Sequence, residues 1–192
     1  ARIIFTSLAE QGPGDWAGVR LERAVGSRLA NCDFSYAEWG LHIHFVPITI
    51  SGCRFLNNDG GMRFRSGPML LTRSLFRGNR VGLRSYLGRM EISENEFVGN
   101  EIAIFVREGG EGLTLHRNNF HDNDRYNLRL GDFNQADVNA PDNWWGKGDP
   151  LATIFDGRRE PGIGKVLYEP FRPGPIDLGL EKLFPAGGEN RP

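Results

Sequence analysis

The chain has 192 residues, 24% of them charged, with a formal net charge of -1 at neutral pH and a pI near 6.5. Near-balanced charge speaks against a generic nucleic-acid binder, and no run approaches the roughly 18 apolar residues that a membrane span needs. A length of this order fits one domain.

The opening residues Arg2-Ile3-Ile4-Phe5-Thr6-Ser7 are already strand-like, and Gly14-Asp15-Trp16-Ala17-Gly18-Val19 reads as a turn leading into a second short strand. From Ser27 to Phe45 a further unit carries Glu38, Trp39 and His42-Ile43-His44. Three units between Ile48 and Val106 then repeat one pattern every 21 residues. Ile50, Leu71 and Ile92 form one column of that register, and Phe55, Phe76 and Phe97 a second. Asn58, Asn79 and Asn100 form a third, and Gly61, Gly82 and Ala103 a fourth. A fixed period of this size marks a repeat architecture. Each unit holds two runs of alternating apolar and polar residues, such as Ile48-Thr49-Ile50-Ser51 and Met62-Arg63-Phe64-Arg65, the period of a half-buried strand. Turn residues able to take positive φ separate the runs, as in Asn57-Asn58-Asp59-Gly60-Gly61. No interval accommodates a crossover helix. The chain is therefore expected to wind once per repeat and stack each strand on its counterpart about 4.8 Å away.

The register then slips. Ile92 to Leu115, Phe97 to Phe120 and Asn100 to Asn123 are each separated by 23 residues, which puts two extra residues at Glu108-Gly109-Gly110-Glu111, as a loop on one side of the coil. A seventh unit carries Ala136-Asp137-Val138-Asn139 and ends at Asn143-Trp144-Trp145-Gly146. Beyond it the repeat stops, and a segment with two large rings and several prolines runs through Tyr168-Glu169-Pro170-Phe171.

This pattern resembles the right-handed parallel β-helix repeat proteins, the superfamily that includes pectate lyases and many bacterial surface and periplasmic proteins. The resemblance covers Ile3 to Trp145 and speaks to fold rather than activity, because one solenoid hosts many chemistries. It implies an all-β fold, a right-handed single-stranded parallel β-helix (solenoid) of about six to seven coils over residues 1–146. A C-terminal cap is expected over 147–172, and a Pro/Gly-rich tail, linker or surface wrap over 173–192, which contains Pro185-Ala186-Gly187-Gly188-Glu189-Asn190. The Gly-Asp-Trp-x-Gly turn is similar to early coils of such proteins, so Trp16 is expected near an open end as a plug or a sugar platform. An open end needs cover, and none is visible ahead of residue 1. The sequence is therefore expected to be a piece of a longer protein whose other domains are partners. The resemblance also implies an extracytoplasmic setting: periplasmic, cell-surface or secreted.

In this register Leu29, Ile50, Leu71, Ile92, Leu115 and Val138 stack as an aliphatic ladder, Phe34, Phe55, Phe76, Phe97 and Phe120 as an aromatic one, and Asn58, Asn79, Asn100 and Asn123 as amides at a turn. Cys32 and Cys53 share a column. Their Cβ atoms, about 4.8 Å apart, lie beyond the usual disulfide range, so a stack of buried thiols is expected.

The strand after each turn glycine carries the functional signal. Its outward pairs are Arg20/Glu22, His42/His44, Arg63/Arg65, Arg84/Tyr86, Phe105/Arg107 and Arg129/Gly131. Stacked like charges repel by about 1 kcal/mol per neighbour even at water's dielectric, a penalty that a bound polyanion relieves. Arginine suits bidentate carboxylate or sulfate contacts, and Tyr86 and Phe105 are expected to stack on sugar rings. Against this, the chain has 20 arginines and three lysines, so arginine is its habitual surface cation, and Glu91, Glu94, Glu108 or Asp132 are candidate counter-charges.

Three functions follow. The first is a non-catalytic scaffold or recognition module that binds an acidic polysaccharide through Arg20, His42, His44, Arg63, Arg65, Arg84, Tyr86, Phe105, Arg107 and Arg129. The second is a polysaccharide lyase, epimerase or hydrolase in the same groove, with His42 or His44 as base and Arg63 neutralising a uronate. The third is a purely structural spacer. No clustered carboxylates of the kind a Ca²⁺-dependent lyase or a glycosidase needs appear on these columns, so no catalytic residue, metal or cofactor is assigned. His42-x-His44 projects two imidazoles to one side, as in a copper-associated branch of the superfamily, but only Glu22 is in reach as a third ligand.

Overall fold

The computed structural model of the chain describes residues 1–9 and 11–180. The Pro185–Asn190 stretch lies outside them. The fold is a right-handed parallel β-helix in which successive coils add strands to three parallel sheets of six, seven and seven strands. The first sheet runs from Ile3–Phe5 to Asn119–His121, and the third from Ser27–Ala30 to Val166–Leu167. The second sheet runs in order through Val19–Glu22, Trp39–His44, Gly60–Arg65, Val81–Tyr86, Ile102–Glu108, Tyr126–Leu130 and Ile154–Phe155. It carries the candidate site. Among the described residues no helix is long and apolar enough to cross a membrane.

The interior is built of ladders. Phe34, Phe55, Phe76, Phe97 and Phe120 stack with centroids 4.6–5.1 Å apart and rings within 12° of parallel, and the stack is extended by Phe5 at one end and Trp145 at the other. Leu29, Ile50, Leu71, Ile92 and Leu115 pair in register as expected. Val138 does not join them. Thr114 pairs with Asn139, so Val138 lies over Leu113, because the coil has grown to 25 residues at this point.

The expected amide ladder is present and fully bonded. Asn79 Oδ1 accepts from the Asn58 backbone N–H and side-chain Nδ2, while Asn79 Nδ2 donates to the Phe55 carbonyl and to Asn100 Oδ1. Asn100 repeats the pattern onto Asn123. A second ladder runs through Cys53, Ser74, Asn95, Asn118 and Asn143, in which each backbone N–H donates to the side chain one coil on. Cys32 and Cys53 are buried free thiols.

The two extra residues of the sixth coil do not sit together. Tyr86 pairs with Glu108 after a register shift, so one is absorbed as a bulge at Arg107 inside the strand. The other lies in the turn of Gly109 and the Gly110–Gly112 helical turn, whose Gly110 N–H donates to Asn134 Oδ1 at 2.7 Å. The Gly-Gly segment is thus tied down to the next coil. After Gly146, the strands Ile154–Phe155 and Val166–Leu167 continue the second and third sheets, and Asn119 bonds both ways to the backbone of Ile176. Trp16 donates from its indole to the Ser35 carbonyl and pairs beside Ala37 in the first coil.

Two outcomes test this interior. Asn79→Ala strands two buried Asn58 donors and the Phe55 carbonyl, each worth about 1–3 kcal/mol when unpaired; a loss of at least about 3 kcal/mol in urea unfolding is expected. Burial pushes the Cys53 thiol up to about 12 and raises Cys32 as well. Both are therefore expected to resist iodoacetamide in the folded protein at mildly alkaline pH and to react on unfolding.

Candidate anion-binding groove

The second sheet presents two outward columns. Register pairing makes the inner one continuous: Arg20, His42, Arg63, Arg84, Phe105, Arg129 and Phe155. The outer one is Glu22, His44, Arg65 and Tyr86, after which the bulge brings Arg107 against Tyr86 out of simple register. Alternation drives this placement, since residues between them, such as Leu41, Ile43, Phe64 and Leu83, are buried in the core.

Between the columns lies a groove of about 540 Å³ lined by Arg20, His42, His44, Arg63, Phe64, Arg65, Arg84, Tyr86 and Arg107. Eight of the ten expected site residues thus come together. Phe105 and Arg129 lie outside the groove.

The aromatic residues do not offer free faces to sugar, contrary to expectation. Tyr86 is sandwiched between the guanidiniums of Arg65 at 4.8 Å and Arg107 at 5.2 Å, and Phe105 between Arg84 at 5.9 Å and Arg129 at 5.6 Å. The rings are spacers. Each occupies the coil between two cations and so keeps them two coils apart, where a third arginine would set like charges about 4.8 Å from each other, and each guanidinium–ring contact contributes about 0.5–1 kcal/mol at an exposed site. Two exposed rings have no signature in the repeat pattern: Phe45, 59% exposed beside Arg65, and Phe133, 66% exposed beside Arg107. Each follows the end of a strand of the second sheet, where alternation no longer tells inside from outside.

Between Arg63 and Arg84 there is neither ring nor imidazole. They are direct register neighbours. Burial lowers the pKa of both, and the charges of Arg107 and Arg63 lower Arg84 further. Arg63 Nε is buried without a hydrogen-bond partner. Among the described residues, no carboxylate lies within ion-pair distance of Arg63, Arg65, Arg84, Arg107 or Arg129. The expected counter-charges are elsewhere: Glu91 meets His116, Glu94 meets Arg117, and neither Glu108 nor Asp132 pairs with the groove. Two carboxylates act on the groove: Glu22, bonded to Arg20 and 3.5 Å from His44, and Glu38, whose charge partly opposes the lowering of Arg63 without forming an ion pair with it.

The two histidines form a directed chain. Arg63 donates from Nη2 to His42 Nδ1 at 2.7 Å, and a guanidinium has no acceptor, so His42 carries its proton on Nε2. That proton points to His44 Nε2 at 2.6 Å, which leaves the His44 proton on Nδ1, facing Glu22. Burial and the neighbouring Arg63 charge bring His42 down to about 4, and burial and Arg20 lower His44. Both imidazoles are neutral at pH 7. Each nitrogen of these two imidazoles therefore faces a neighbour, and among the described residues no three His, Cys, Asp or Glu side chains converge as metal ligands. His121 lies apart, raised by its bonds to Glu96 and Asp122, and its ring tilts against Trp144.

Residues 14–138 match the family model described as right handed beta helix region. The chain belongs to this family. Its solenoid scaffold is therefore shown twice, by the sheet registers and by the family match. No curated protein and no solved structure matched this β-helix chain.

The spacer role of Tyr86 predicts that Tyr86→Ala lowers stability by about 2 kcal/mol, and more at low salt, where Arg65 and Arg107 are unscreened. Tyr86→Phe keeps the ring face and is expected to stay within about 0.5 kcal/mol of wild type. Urea unfolding at two salt concentrations separates these outcomes.

Proposed function

We propose that this β-helix is a recognition module that binds an acidic linear polymer, a uronate-bearing or sulfated glycan, along the groove of its second sheet. The observation that carries this reading is the Arg63–Arg84 pair: two adjacent, half-buried guanidiniums with no carboxylate within ion-pair distance among the described residues. A carboxylate or sulfate between them supplies the charge that the chain omits and accepts paired N–H donors in the geometry arginine favours. Arg65 and Arg107 flank the same groove, and the exposed faces of Phe45 and Phe133 at its edge replace Tyr86 and Phe105 as platforms for sugar rings. An extracytoplasmic setting, where such polymers occur, is part of this proposal, as are further domains of a longer parent chain.

Recognition is favoured over lyase, epimerase or hydrolase chemistry by the histidine chain. A general base needs a free lone pair within reach of the substrate proton. His42 Nδ1 already accepts from Arg63, and His44 Nε2 from His42.

The test is binding of polygalacturonate and dextran sulfate at low and high salt, comparing wild type with Arg63→Ala/Arg84→Ala. Wild-type affinity is expected to fall steeply with salt, and the double variant to bind at least about tenfold more weakly. Absence of binding by wild type at low salt, or equal binding by the variant, overturns the proposal and leaves the structural spacer as the account of this fold.

A further inference from the structure

The chain that runs from Arg63 through His42 and His44 toward Glu22 has a single proton arrangement, and one added proton breaks it. A proton on His42 Nδ1 would meet the Arg63 Nη2 donor at 2.7 Å, and a proton on His44 Nε2 would meet the His42 Nε2 donor at 2.6 Å. Imidazolium is a donor at both nitrogens and accepts from neither. Either protonation therefore turns one hydrogen bond into two donors face to face.

We propose that this chain is a latch on the groove: acidification opens it, releases the Arg63 guanidinium toward Arg84, adds imidazolium charge to the groove wall, and so tightens binding of a polyanion. This inference rests on the anion-binding reading of the groove and adds its regulation.

The surroundings of the latch set its direction. The strand Val19–Glu22 on one side brings Arg20 and Glu22, and the strand Gly60–Arg65 on the other brings Arg63 and Arg65. Three of these four groups are cationic. The fourth, Glu22, is bonded to Arg20. The free protein thus holds both histidines neutral through burial and surrounding positive charge, and both pKa values are displaced downward. A bound polyanion reverses that electrostatic balance and favours the charged imidazoles. By linkage, a ligand that raises these pKa values binds more tightly as pH falls through them. At neutral pH the Arg63 guanidinium is held by His42 Nδ1 and lies over the Trp39 ring at 5.2 Å, but its Nε there is buried without a hydrogen-bond partner, so an incoming anion offers it an acceptor that this position lacks.

The experiment uses dextran sulfate, whose sulfate esters keep their charge throughout the range. Affinity is measured at about pH 7.5 and about pH 4.5 for wild type, His42→Gln and His44→Gln, alongside imidazole nitrogen shifts of the unliganded protein by NMR. At the higher pH the latch requires His42 as the Nε2–H tautomer and His44 as the Nδ1–H tautomer. Wild type is expected to bind about tenfold more tightly at the lower pH. Both glutamine variants are expected to lose most of that gain while still binding. Two variants are used because one substitution alone could disturb the strand. Equal affinity at the two pH values, or the opposite tautomers, overturns the latch while leaving the anion site intact. No binding at either pH overturns the groove's ligand and the acid-strengthened binding together. In that case the tautomers still report whether the latch forms, so the two failures are told apart.

Discussion

Parallel stacking sets each side chain of this β-helix about 4.8 Å from its counterpart one coil away. Like is placed on like. For Phe55, Phe76 and Phe97 this gives parallel ring stacking through the core. For Asn58, Asn79 and Asn100 it gives an amide that accepts from one neighbouring coil and donates to the other. For arginine it gives repulsion, and the outer face of the second sheet is organised by how that repulsion is handled.

Three devices dilute the charge. Aromatic rings separate Arg65 from Arg107 and Arg84 from Arg129. A neutral imidazole separates Arg20 from Arg63, and a carboxylate neutralises Arg20 itself. Arg63 and Arg84 have none of these between them. Buried polar groups ordinarily find partners within the fold, so an unneutralised pair on the floor of a groove is the natural place for an anionic group from outside. The same stacking that makes the core self-complementary makes this spot complementary to something else.

Much of this was legible from residue spacing alone. The Phe and Asn columns, the winding, and the outward pairs of the second sheet from Arg20/Glu22 to Arg84/Tyr86 follow from a period of 21 combined with alternation. The limits have physical causes. The second polar ladder passes through Cys53, Ser74, Asn95 and Asn118, so its role persists while its residue type changes, and matching by identity does not find it. Spacing counts residues and so places Val138 in the Leu115 column, although the coil lengthens in the intervening turns. The bulge at Arg107 was hidden for a similar reason, since the Gly109-Gly110 turn offered an easier place for both extra residues. Register places the Tyr86 and Phe105 rings on a face but does not say which groups cover it. Rotamers of the long neighbouring arginines decide that.

The central claim is that the Arg63–Arg84 pair forms an anion site. Selenate is a sulfate analogue with a strong anomalous signal, so diffraction from crystals soaked in it locates bound anions directly. A selenate peak between the guanidiniums of Arg63 and Arg84 is the predicted result. Selenate ordered elsewhere on the protein, with that gap empty, would contradict the account.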